Sequence, residues 1–404
     1  MTRCGVRPSV AAAFVLLCML IQGAGWAQPL AELLRATPQS GAAVGREVIE
    51  YLDLTQFALD SDEWWQPLAV HPGEGRLDLA IEASPERYGF DLRGAQLLAF
   101  DEPPGRALLV RVAYDPERVH VALSARDFEA TTAQTIDRYV WGEAPHVDCA
   151  TNFAAGDDGD LFAGRLGKAV RLALLPGVLA SSCSTAVSDD VLAAHAGATL
   201  SLFDAPSYRE LGASAAQWDD AVLAADNPGR ALFVRSHREL AEAALDHGDP
   251  AQALFLGPGS GASLSGIDPA AVFALSPDLS AEERSAELEA LVDAERAREP
   301  LPLYLAALLA DVGPGERLVL ALHYTDEVSA EAALPVFAAR LEAFLPDRLE
   351  GVPFAVDTHL RTFERHGEAT AVVVAVVRFR EANTAFRSLV AGLWQRDFAP
   401  LALP

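Results

Sequence analysis

Apolar positions along the chain repeat with two periods, and the C-terminal third shows both most plainly. Leu318 to Tyr324 is a continuous apolar run of strand length. The segment after it places Leu334, Phe337, Leu341 and Phe344 at helical spacing, which predicts a helix over 329–344. Pro335 is accommodated only if it falls near the start of that helix. Phe354 to Phe363 and Ala369 to Phe379 read as two strands reversing at Arg365-His366-Gly367-Glu368. Ala385 to Trp394, with Phe386, Leu389 and Leu393, reads as a final helix. The order β-α-β-β-α is the leading part of a ferredoxin-like sandwich. Residues 371–377 (Ala-Val-Val-Val-Ala-Val-Val) are apolar on both faces, so that strand is expected to be covered on both sides. The covers expected are its own two helices on one side, and the N-terminal region or the middle of the chain on the other.

A related pattern occurs earlier. Pro104-Gly105 leads into Ala107–Tyr114 as Pro314-Gly315 leads into Arg317–Tyr324, an offset of 210 residues with Pro, Gly, Leu and Tyr matched. Around the first copy, Leu97–Phe100 and Ala107–Tyr114 read as a hairpin, 116–125 as a helix and 128–141 as a strand. A second hairpin follows over 169–181, turning at Pro176-Gly177, and then a helix over 187–196. Leu77, Leu79 and Ile81 alternate with charged residues and fit a half-buried strand, with a helix as the alternative. Between the copies, Ser280-Ala281-Glu282-Glu283 forms a capping box opening a helix toward Arg298, stopped by Pro300 and Pro302. The fold expected is therefore α+β: two ferredoxin-like (βαββα-type) units in pseudo-repeat, residues 28–200 and 313–404. A mostly helical middle segment, 201–312, would join them.

The first 27 residues have the layout of a secretory signal. Arg3 and Arg7 precede the apolar stretch Val10–Ile21, and Gly25 and Ala27 are small residues at the −3 and −1 positions of a cleavage site. Leu17 before Cys18 does not suit a lipobox, and an uncleaved anchor is the alternative reading. No later run reaches membrane-spanning length. The expectation is an exported protein, periplasmic or extracellular. In that compartment the two cysteines beyond the signal, Cys149 and Cys183, are expected to form a disulfide.

Composition narrows function mainly by exclusion. Asp and Glu number 57 against 31 Lys and Arg, a formal net charge of −26, which argues against nucleic acid as a partner. Loss of the signal removes two arginines and no acid, taking the charge to −28. Lys168 is the single lysine, and neither a P-loop nor any Schiff-base site surrounds it. The glycine-rich run 257–266 fails as a dinucleotide loop at Ala262 and as a nucleophile elbow at Ser265, so it reads as a loop. No zinc-type spacing occurs, and no cofactor is expected.

Four groups of residues remain as candidates for chemistry. Asp246, His247 and Asp249 form the densest titratable cluster, which a helix end with Gly248 as its terminating residue also explains. His323 lies on a strand of the C-terminal unit, in a different strand from His359. Asp157, Asp158 and Asp160 have a calcium-like spacing, yet a glutamate at position twelve is missing and a solvated acidic turn accounts for them. Adjacent Trp64 and Trp65 could line a sugar or cation site, or anchor a core. The function expected is a non-enzymatic, soluble bacterial cell-envelope protein binding a ligand or an envelope protein. The alternative is a secreted hydrolase with a Ser or carboxylate nucleophile.

Overall fold

The computed structural model describes residues 28–38, 48–61, 68–102, 105–133, 136–142, 148–198, 201, 229–257, 280, 283, 285–286, 301–302, 304–349, 351–365 and 368–394. The signal-like segment, Trp64 and Trp65, residues 258–266 and Arg298 lie outside them.

Twelve strands form one antiparallel sheet. In chain order they are β1 (Val48–Asp53), β2 (Gln96–Glu102), β3 (Gly105–Arg111), β4 (Glu129–Ala133), β5 (Ile136–Trp141), β6 (Val170–Leu175), β7 (Val178–Ser182), β8 (Pro250–Leu256), β9 (Ala306–Val312), β10 (Arg317–Tyr324), β11 (Phe354–Arg365) and β12 (Glu368–Phe379). Across the sheet they run β11-β12-β10-β9-β8-β1-β2-β3-β7-β6-β5-β4. Among the described residues seven helices pack on it: α1 (Gln28–Ala36), α2 (Leu77–Tyr88), α3 (Pro116–Ser124), α4 (Thr185–His195), α5 (Gly229–Leu245), α6 (Glu327–Arg348) and α7 (Ala385–Trp394). Apolar residues of α2, α3, α6 and α7 join one core cluster on one face, and those of α1, α4 and α5 join a second cluster on the other. The result is helix layers on both sides of the sheet.

The expectation of two ferredoxin-like units with a helical middle is overturned. The sheet is continuous, because β1 and β8 pair antiparallel at its centre, Tyr51 opposite Ala253. β8 and β9 also place two buried strands inside the segment expected to be mostly helical. The two Pro-Gly strands, β3 and β10, hold matching places, each the second strand out from that central pair. Their surroundings differ: α6 and α7 share one face, whereas α3 and α4 lie on opposite faces, so the halves are not copies of one unit.

Several local expectations hold. β12 is buried on both faces, with Val373, Ala375 and Val377 facing α6 and α7 and Val372, Val374 and Val376 facing the layer that contains α5. The second cover thus comes from the middle of the chain. The capping box at Ser280–Glu283 is formed in both directions, Glu283 N donating to Ser280 Oγ at 3.3 Å and Ser280 N to Glu283 Oε2 at 2.8 Å. Three details differ. Residues 77–88 are a helix rather than a strand, since Leu77, Ala80, Ile81, Ser84 and Tyr88 are the buried positions and their spacing is helical. The strand expected over 128–141 is the hairpin β4–β5. Pro335 lies well inside α6, because that helix begins at Glu327 and runs to Arg348.

Candidate functional site

The central junction ends in a cleft of about 530 Å³, on the face that carries α1 and α5. Alternation along the strands determines what faces it. Ile49 and Tyr51 of β1 point to that side, so Asp53 does too. Leu98 and Phe100 place Gln96 there, Ala107 and Leu109 place Arg111, and Val319 and Ala321 place Arg317. The remaining walls come from Pro29 and Leu30 of α1, Leu245 at the end of α5, and the Gly248–Pro250 entry into β8. α5 closes through His247 N to Ala244 O (2.9 Å) and Gly248 N to Leu245 O (3.2 Å). Gly248 has φ +124°, and a Cβ there would stand 2.9 Å from Val312 Cγ1, so glycine is required at this turn.

Polar groups in the cleft fall into two classes. Some are engaged. Asp53, almost fully buried, accepts from Thr55 N (3.0 Å), Thr55 Oγ1 (2.7 Å) and Gln96 Nε2 (3.0 Å). Arg111 donates to Gln96 Oε1 (2.9 Å) and pairs with Glu32 of α1. Gln56 bridges to the backbone carbonyl of Pro250 at 3.1 Å. The others keep capacity to spare. Arg317 donates through Nη1 to the His247 carbonyl at 2.7 Å. Among the described residues it has no carboxylate in ion-pair contact, and the Asp249 carboxylate likewise has no cation. Burial, with the nearby Asp53 charge adding to it, raises the pKa of Asp249. Tyr51 is 2% exposed, and its hydroxyl has no hydrogen-bond partner among the described residues. Burial first, then Asp53 and Asp249, pushes its pKa well above the usual tyrosine value, so it stays a donor.

The sequence candidates are distributed as follows. Asp249 lines the cleft. Asp246 and His247 stand beside it but turn toward β11: Asp246 pairs with Arg361, and the His247 ring lies 5.3 Å from that of His359. Burial, aided by His359, lowers the His247 pKa. His323 is buried in the sheet under α5, and burial followed by the charge of His237 takes its pKa down to about 3. β12 separates the strands of His323 and His359. Asp160 is buried, accepting from Phe162 N (2.9 Å), Ala163 N (3.0 Å) and Tyr88 Oη (3.2 Å) and pairing with Arg126. Asp157 pairs with Arg87 at 2.6 Å. Asp158 contributes its carbonyl to Arg76 N. No group of three or more potential metal ligands converges among the described residues. Cys149 and Cys183 form a disulfide with Cα atoms 4.6 Å apart.

Sequence reasoning missed Tyr51, Asp53, Gln96, Arg111 and Arg317. Asp53, Gln96, Arg111 and Arg317 stand at strand ends and Tyr51 within β1, and no motif marks them, because the cleft exists only where β1 meets β8. A second cleft of about 530 Å³, lined by His71, Arg76, Asp78 and Arg387, lies on the opposite face. Its Asp78 is already paired with Arg76. No helix among the described residues is long and apolar enough to cross a membrane, and with the disulfide this is compatible with export. Neither protein-family models, nor curated proteins, nor solved structures give a match to the chain.

Proposed function

We propose that the chain is an exported, non-enzymatic cell-envelope protein that binds a small polar ligand in the cleft at the β1–β8 junction. The observation that carries this reading is a cleft, of a volume typical of small-molecule sites, onto which the Tyr51 hydroxyl, Asp249 and Arg317 all open with hydrogen-bonding capacity to spare. Export rests on the signal-like first 27 residues together with the disulfide. Native mass spectrometry of the protein recovered from its exporting cell tests the reading. A bound small molecule is expected in the wild type and its loss in Leu245→Trp, which fills the cleft from the α5 side. Wild-type protein free of any ligand, or a ligand retained by the variant, would overturn it.

The hydrolase alternative has one observation in its favour, the raised Asp249 carboxyl close to Asp53, an arrangement suited to acid–base work. Turnover of ester or peptide substrates that is abolished by Asp249→Asn would establish it in place of the binding role.

A further inference from the structure

We propose that the ligand of this cleft is a small zwitterion of the amino-acid or short-peptide class, its ammonium held by Asp249 and its carboxylate by Arg317, with the Tyr51 hydroxyl as a third contact. This rests on the cleft being the binding site. It goes further in assigning the chemistry of what binds.

The lining carries two carboxylates, Asp53 and Asp249, and two guanidinium groups, Arg111 and Arg317. Internal contacts account for one of each. Asp53 receives Thr55 and Gln96, and Arg111 is committed to Glu32 and Gln96. One acid and one base of opposite charge are left over. Asp249 carries no cation, and Arg317 uses one Nη on a backbone carbonyl, with its other donors unused among the described residues. A ligand with a single charge would match one of them and leave the other desolvated beside it, a costly outcome in a part-buried site. A ligand carrying both charges satisfies both, and a planar guanidinium is well shaped for a carboxylate. Tyr51 then donates to the same ligand from the floor of the cleft. Apolar walls at Leu30, Leu245 and Val312 leave room for a modest side chain.

Thermal shift of the mature protein against a fixed panel tests the assignment. The panel is the twenty L-amino acids and L-alanyl-L-alanine, with propylamine and propionate as single-charge halves. At least one zwitterion is expected to raise the melting temperature in a concentration-dependent way, with both halves inert at the same concentrations. Affinity for that zwitterion should fall about 10- to 100-fold in Asp249→Asn, in Arg317→Gln and, to a smaller degree, in Tyr51→Phe. Asp249→Asn is nearly isosteric and keeps the test valid if Arg317→Gln does not fold. Binding of propylamine or propionate alone, sensitive to one of these substitutions, would overturn the zwitterion assignment while leaving the cleft as the binding site. Zwitterion binding indifferent to all three substitutions, or no response anywhere in the panel, would overturn the assignment too. The mass spectrum of Leu245→Trp then decides separately whether the cleft binds anything.

Discussion

Asp311 and His323 are buried titratable residues on neighbouring strands, and their effects on stability run in opposite directions with pH. Asp311 accepts from Gly315 N (2.9 Å) and Gln252 Nε2 (3.3 Å), yet burial raises its pKa from 3.8 to about 7. The folded state therefore holds this proton more tightly than the unfolded chain, and stability falls as pH climbs from about 4 to about 7. His323 goes the other way, with a folded pKa of about 3 against 6.5, so its contribution rises with pH across that interval. Between about 4 and 6.5 the two slopes oppose. Asp311→Asn should remove the first, making urea midpoints rise more steeply with pH over that range and hold up better at pH 7.5; curves parallel to wild type would show that Asp311 does not titrate as described. A second contrast concerns the acidic turn. Asp160→Ala strands the Arg126 guanidinium and two backbone N–H groups, and should cost about 3–5 kcal/mol. Asp157→Ala removes an ion pair with the carboxylate half exposed and should cost under about 1 kcal/mol, both read from denaturant midpoints.

Elements with an unambiguous period were legible from sequence: α6, α7, β11, β12 and the hairpins β2–β3 and β6–β7 all stand where the pattern put them. Those that misled have physical reasons. β8 (Pro-Ala-Gln-Ala-Leu-Phe-Leu) and β9 (Ala-Ala-Leu-Leu-Ala-Asp-Val) are buried on both faces, so they show no alternation and resemble pieces of a buried helix. α2 begins with a short polar–apolar alternation that its later turns contradict. The cleft was only partly legible. Asp249 belonged to a visible cluster, whereas Asp53 and Arg317 came to line one cleft through a pairing that no local signal announces. The disulfide was readable from the signal-like first segment and the cysteine count alone, and its effect reaches an adjacent element. Cys149 lies beside Asp148, which accepts from Thr185 N and Oγ1 and Ser184 Oγ and so caps α4 from a remote loop. Reduction, or Cys183→Ser, should lower stability by about 3–4 kcal/mol for a loop of this length. Loss of α4 ellipticity ahead of the main transition would accompany it.

At the scale of the whole molecule, the sheet is assembled from two stretches of chain that meet only along β1 and β8. Everything on the N-terminal side of that line precedes β8 in the sequence, while β1 is the first strand made. Until residue 256 is available, β1 is an open edge whose Ile49, Tyr51 and Leu52 are destined for full burial. A fragment ending near residue 200 should therefore self-associate through β1, visible as dimers or larger species in size-exclusion chromatography, while the full chain stays dispersed under the same conditions. A monodisperse, monomeric fragment would refute this. The long separation between the two central strands also predicts slow closure, since loop entropy must be overcome before the pairing rewards it. The halves cannot lock together while β8 is still unmade, so the pairing that completes the sheet waits until residue 256 has been synthesised.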